Sequence, residues 1–175
     1  ASSVAALGLP PNGPWKETLY GAYKLANEHT AFVYNADWKI PSVGIRPNIV
    51  YGLTRDQGIS SKNTIAIQSA VLNEEYNIPY TGNYSWLYAG EAASAFIYSV
   101  MKEHETSHVF NLNGQCETLE KGISIIKSLN PEAKVSCSGK SFPFPSDLSD
   151  NPLRKVIGNY PIYSIEDGIA DTFNS

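Results

Sequence analysis

A helical pattern of mostly apolar positions runs from Leu19 through Leu25, Ala26, His29, Phe32, Val33 and Ala36. It predicts a first helix from Leu19 to Tyr34 or Asn35, ended by Asp37-Trp38-Lys39 with Pro41 behind. Before it, Gly8 to Trp15 reads as a loop, because Gly8, Pro10, Pro11, Gly13 and Pro14 all break regular structure. After it, Ser42 to Val50 reads as a buried strand, rich in β-branched Val43, Ile45, Ile49 and Val50. A polar loop from Leu53 to Ser61 follows, with Ser60 or Ser61 placed to cap a helix over Asn63 to Leu72. Ile78 to Gly82 predicts a short strand and turn. Glu91 to Lys102 predicts a helix with Ala92, Ala95, Phe96, Ser99 and Val100 on one side. Val109 to Asn113 and Lys134 to Ser138 predict strands, separated by a Thr118-capped helix over Leu119 to Leu129. Ser141 to Asp150 is irregular. Ser164 and Asp167 form a near capping box for a last helix packed by Ile165, Ile169 and Phe173. Strands alternate with helices, the pattern of an α/β fold.

Composition narrows the picture. At 175 residues the chain is long enough to bury a substantial core, and 42% hydrophobic with 17% charged residues is globular composition rather than disorder. The net charge of −4 and the lack of any Lys/Arg run argue against a nucleic-acid binder held by phosphate contacts, so no nucleic acid is expected. The longest apolar run, Ala92 to Met101, is too short to span a bilayer. A soluble cytoplasmic protein with no membrane partner is therefore expected. Cys116 and Cys137 are too few for a disulfide framework and read as free thiols. No zinc spacing occurs, and His104 and His108 straddle a predicted helix-to-strand junction, so no metal site is expected.

Chemistry enters with Tyr20-Gly21-Ala22-Tyr23-Lys24. Residues four apart share a helix face, so the Tyr20 hydroxyl and the Lys24 ammonium are presented side by side. A phenol is almost wholly protonated at neutral pH, with a pKa of about 10. A neighbouring cation favours its phenolate, which makes such a pair usable as a general acid or base.

The order of motifs is similar to that of the short-chain dehydrogenase/reductase superfamily. Small serines lead into a glycine over Ala1-Ser2-Ser3-Val4-Ala5-Ala6-Leu7-Gly8. The Tyr20/Lys24 helix follows, and then a strand ends in Arg46-Pro47-Asn48-Ile49-Val50-Tyr51-Gly52. The chain most resembles the extended branch, the NAD-dependent epimerase/dehydratase family of sugar-modifying enzymes, and only its carboxyl-terminal half. No G-x-G-x-x-G or G-x-x-G-x-x-G turn occurs to hold a pyrophosphate, so the glycine-rich amino-terminal half is expected elsewhere.

The resemblance implies the carboxyl-terminal part of a Rossmann-type doubly wound parallel sheet plus a small mixed α/β substrate-binding lobe. Residues 1–52 would end the dinucleotide-binding domain. Residues 53–175 would be mostly substrate lobe, with segments returning to the first domain. It implies NAD or NADP as cofactor, hydride transfer, and a hydroxyl or carbonyl of a sugar, sugar acid or polyol as the reacting group. Tyr20 would be the acid/base and Lys24 would assist it and bond the nicotinamide ribose. Ser3, five residues before Gly8, would hold the reacting oxygen, with Ser2 as the fallback and a cofactor contact. Pro47, Asn48 and Ile49 would flank the nicotinamide, while Arg46 reads as structural. Arg55 and Tyr84 would face the substrate. Tyr84 stands where nucleotide-sugar enzymes of the family carry a diphosphate-gripping arginine, which favours a smaller substrate. Dehydrogenase and epimerase chemistry both fit, and a homodimer through the tyrosine helix is implied. The isolated fragment is expected to be inactive without the missing half. A non-catalytic cofactor-binding or structural relative is the alternative class.

Overall fold

A computed structural model describes residues 1–8 and 18–175. The expected Gly8–Trp15 loop therefore lies, Gly8 apart, outside the described residues. The chain divides into two compact units. The first comprises Ala1–Asn48, Ala92–Leu112 and Leu148–Pro161; the second comprises Ile49–Glu91, Asn113–Asp147 and Ile162–Ser175. The chain is α/β, as its periodicity predicts.

The first unit begins with a 3-10 turn at Val4–Leu7, and then α1 spans Leu19–Trp38. Thr18 caps α1, its hydroxyl accepting from the Gly21 N–H at 3.0 Å. The helix runs one turn past its expected end. Asp37 and Trp38 tolerate helical backbone, and the Trp38 ring packs 4.9 Å from Tyr34. The stop comes at Lys39, in left-handed conformation with φ 56°, two residues before Pro41. Strand β1 (Val43–Pro47) pairs in parallel with β5 (His108–Leu112), Ile45 facing Phe110. The expected single strand Ser42–Val50 is thus two. Pro47 ends the ladder, the Asn48 N–H goes to the Leu112 carbonyl, and β2 (Val50–Tyr51) starts afresh in the second unit. Helix α5 (Asn151–Ile157) packs on β5.

The second unit holds two small sheets. Strand β2 is parallel to β4 (Asn83–Tyr88), which is antiparallel to β6 (Gln115–Thr118). Strand β3 (Tyr76–Ile78) is parallel to β7 (Val135–Cys137). Helices α2 (Lys62–Leu72), α4 (Leu119–Leu129) and α6 (Ile165–Asn174) cover an aromatic core. Trp86 anchors it, almost wholly buried, with the rings of Tyr51 and Tyr84 at 5.4 and 5.5 Å. The Thr118 and Ser164 caps form as expected, accepting from Lys121 N and Asp167 N. The serine cap on α2 does not. A 3-10 turn, Ile59–Ser61, leads in instead, and the Ser61 hydroxyl donates to the Gly58 carbonyl at 2.9 Å.

Helix α3 (Ala89–Val100) starts two residues before its expected position. Its first-turn acid, Glu91, is buried and accepts from the Tyr163 N–H at 3.3 Å. No helix among the described residues is long and apolar enough to cross a membrane.

Candidate active site

Helix α1 meets the opening segment of the chain along one narrow stripe. Gly21, Lys24, Glu28, Ala31 and Asn35 are its buried or half-buried positions; most of the others are exposed. Their spacing of three and four places them on one face. At Gly21 the contact is backbone to backbone: a side chain there would overlap the Ala5 carbonyl. One turn along, the Lys24 ammonium donates to the Ala1 carbonyl at 3.3 Å. A further turn along, the buried Glu28 carboxylate accepts the Ser2 hydroxyl. It also takes a two-point grip from Arg46 of β1, Nε to Oε1 at 2.7 Å and Nη2 to Oε2 at 2.5 Å. Burial alone would raise the Glu28 pKa, but the hydrogen bonds from Arg46 and Ser2 outweigh it and hold the carboxyl below its usual range.

Tyr20 lies at the edge of this stripe. Its side chain is more than half exposed, and the Lys24 ammonium sits 5.4 Å from its ring centroid. Neither side chain enters the apolar core. Ser3 is half-buried, and its hydroxyl oxygen accepts from the Ala5 N–H at 3.2 Å, capping the 3-10 turn. That bond uses a lone pair and leaves the Ser3 proton to be donated. Ser2 differs. It is buried, its N–H goes to the Ile45 carbonyl at 2.8 Å, and its proton goes to Glu28. Ser2 thus spends both its hydroxyl proton and its N–H within the protein.

Pro47 and Asn48 end the first unit, Asn48 being buried, and Ile49 opens the second with its carbonyl accepting from Leu87 N. In the second unit Arg55 and Tyr84 converge on Ser60. The Arg55 guanidinium donates to the Ser60 hydroxyl at 2.9 Å and to the Gln57 carbonyl, and the Tyr84 hydroxyl donates to the Ser60 carbonyl at 3.2 Å. Arg55 keeps some exposure, whereas Tyr84 has none. Its ring lies 4.8 Å from Phe142 and burial drives its pKa well up, so the Tyr84 ring is built into the apolar core. Its β-strand places the ring inward, where an arginine could not have gone without a partner.

Glu28 is absent from the expected site. Its signal was the spacing Gly21, Lys24, Glu28, which puts a carboxylate on the buried stripe, where it needs a cation.

Residues 5–112, more than half of the chain, match the sequence model of one family. The chain belongs to the NAD-dependent epimerase/dehydratase family. No curated protein sequence matches it significantly. Among solved structures, it is similar to UDP-N-acetylglucosamine 4-epimerase from Bacillus cereus, at TM-score 0.78 and 18% identity, covering 99% of this chain and 61% of the other. UDP-glucuronic acid 4-epimerase from Bacillus cereus, in complex with NAD, matches at TM-score 0.74 and 18% identity, covering 99% and 58%. A GalE-like L-threonine dehydrogenase from Cupriavidus necator, in its holo form, matches at TM-score 0.82 and 18% identity, covering 98% and 62%. The chain spans about three fifths of the length of these structures. At this identity the likeness establishes the fold, that of the Rossmann-type α/β enzymes of the family. The family is NAD dependent. The donors present suit such a cofactor: an exposed hydroxyl and an ammonium one turn apart on α1, the ammonium bonded to the Ala1 carbonyl of the opening segment.

Proposed function

We propose that this chain is the carboxyl-terminal part of an NAD(P)-dependent oxidoreductase or epimerase acting on a hydroxyl or carbonyl of a sugar, sugar acid or polyol. The observation that carries the reading is the exposed Tyr20–Lys24 pair beside the anchored serine segment. Tyr20 exchanges a proton with the substrate oxygen, as general base toward an alcohol and general acid toward a carbonyl. Lys24 places a positive charge beside the Tyr20 ring and, through its remaining N–H groups, holds the ribose. Ser3 donates its hydroxyl proton to the reacting oxygen and fixes it opposite Tyr20. The nicotinamide, when bound, supplies the hydride acceptor or donor that the named side chains lack. Pro47, Asn48 and Ile49 form the wall beside it. Arg55 offers a cation to an anionic substrate group.

In this reading residues 1–52 end the dinucleotide-binding domain, and residues 53–175 are mostly the substrate lobe, with segments returning to the first. The glycine-rich half that grips the pyrophosphate is supplied by the rest of the enzyme, in keeping with the three-fifths span of the solved relatives. The enzyme works as a soluble cytoplasmic homodimer.

The test is hydride transfer by the enzyme with both halves present. Absorbance at the reduced-nicotinamide band is followed against a panel of polyols, sugar acids and sugars, with NAD and with NADP. A change with one substrate class supports the reading. No change with any member, in a protein that binds the dinucleotide, contradicts it and leaves a non-catalytic binder.

A further inference from the structure

Glu28 is nearly inaccessible, 5% exposed, and a buried carboxylate is costly unless paired. Arg46 pairs it at two points, in fork geometry at 2.7 and 2.5 Å. That pairing satisfies the charge by itself. Yet Glu28 Oε1 also accepts the hydroxyl of Ser2, 26 residues away in sequence. The Ser2 N–H is fixed at the same time to the Ile45 carbonyl, the residue beside Arg46. Ser2 is therefore held by both its backbone and its side chain.

The consequence falls on the next residue. Ser3 is extended, at φ −160° and ψ 152°. Successive side chains in extended backbone point to opposite sides. With Ser2 tied inward to Glu28, Ser3 is turned the other way. Its oxygen there accepts from Ala5 N, while Lys24 holds the Ala1 carbonyl two residues before it. The hydroxyl bond to Glu28 and the N–H bond to the Ile45 carbonyl together hold the register in which Ser2 faces inward and Ser3 does not.

We propose that Glu28 is a positioning residue that, gripped by Arg46, binds the Ser2 hydroxyl and so selects Ser3 as the serine presented to the reacting oxygen. Its role for the reaction rests on the acid/base reading of Tyr20, Lys24 and Ser3. Glu28 touches no substrate and acts only through Ser2.

The latch is tested with Ser2→Ala, which keeps the backbone N–H and leaves the Glu28–Arg46 pair whole. Amide hydrogen exchange in the 175-residue chain reads the Ala5 N–H, the donor to Ser3. Its exchange is expected to speed up roughly tenfold, while amides late in α1 stay unchanged, as for local opening rather than global unfolding. An unaltered Ala5 amide overturns the latch. In the enzyme with both halves, Ser2→Ala is expected to lower kcat roughly 10- to 100-fold with KM for the dinucleotide unchanged, as a misplaced group does. Ser2→Thr, which keeps the hydroxyl, restores most of that loss. An unchanged kcat in Ser2→Ala overturns the positioning role. If the Ala5 amide responds but Tyr20→Phe keeps full turnover, the latch stands and the acid/base reading falls.

Discussion

Helices α1 and α4 are built on opposite terms. Of the 20 residues of α1, only Gly21 and Glu28 are buried, and its anchor is a charge cluster. Of the 11 residues of α4, Leu119, Gly122, Ile123, Ile125 and Ile126 are buried, all apolar or glycine. The first helix is located by a few directional contacts that leave its other face open. The second is located by non-directional burial in an aromatic core. A polar latch aims one particular side chain with little covering area, which suits a site. Apolar burial fixes an element without aiming any one group.

The contrast can be broken in order of size. Trp86→Ala is expected to cost about 3–5 kcal/mol, measured by denaturant unfolding, because it empties the centre of the second unit. Arg46→Ala leaves Glu28 buried without its cation and is expected to cost about 3 kcal/mol. A near-zero cost would make the cluster ornamental. Thr118→Ala removes the α4 cap for about 1 kcal/mol, a small loss in a helix held by packing.

Acid and alkali address the two regions separately. The Glu28 carboxyl is held below its usual value in the fold, so its contribution is present above the unfolded value near 4.5 and is lost as pH falls through the folded one. Burial raises the Tyr80 phenol in the second unit to about 12. Its contribution is complete below the unfolded value of 10.0 and is lost as pH rises toward 12. Glu28→Gln is expected to flatten the acid limb of a stability-versus-pH profile, and Tyr80→Phe the alkaline limb. The reverse assignment would contradict the comparison.

How much was legible follows the same division. Helix α4 and its Thr118 cap read directly, because an apolar stripe of helical period and a capping threonine are both local signals. Strands β4 and β6 carried none. In β4, Tyr84 to Leu87 are buried in succession with no alternation, and β6 is the polar run Gln-Cys-Glu-Thr. The Tyr20–Lys24 pair was visible because both members sit on one helix. The Ser2–Glu28–Arg46 cluster was not, since it joins three segments that only the fold brings together. The burial of Tyr84 was hidden for a related reason: position along a motif does not reveal which way a strand turns its side chain.

The most direct measurement is steady-state hydride transfer by the enzyme with both halves present, comparing wild type with Tyr20→Phe under saturating dinucleotide. A loss of roughly 10²- to 10⁴-fold in kcat, with dinucleotide affinity kept, is the predicted result for removal of a general acid/base. Turnover in Tyr20→Phe equal to wild type would contradict the account.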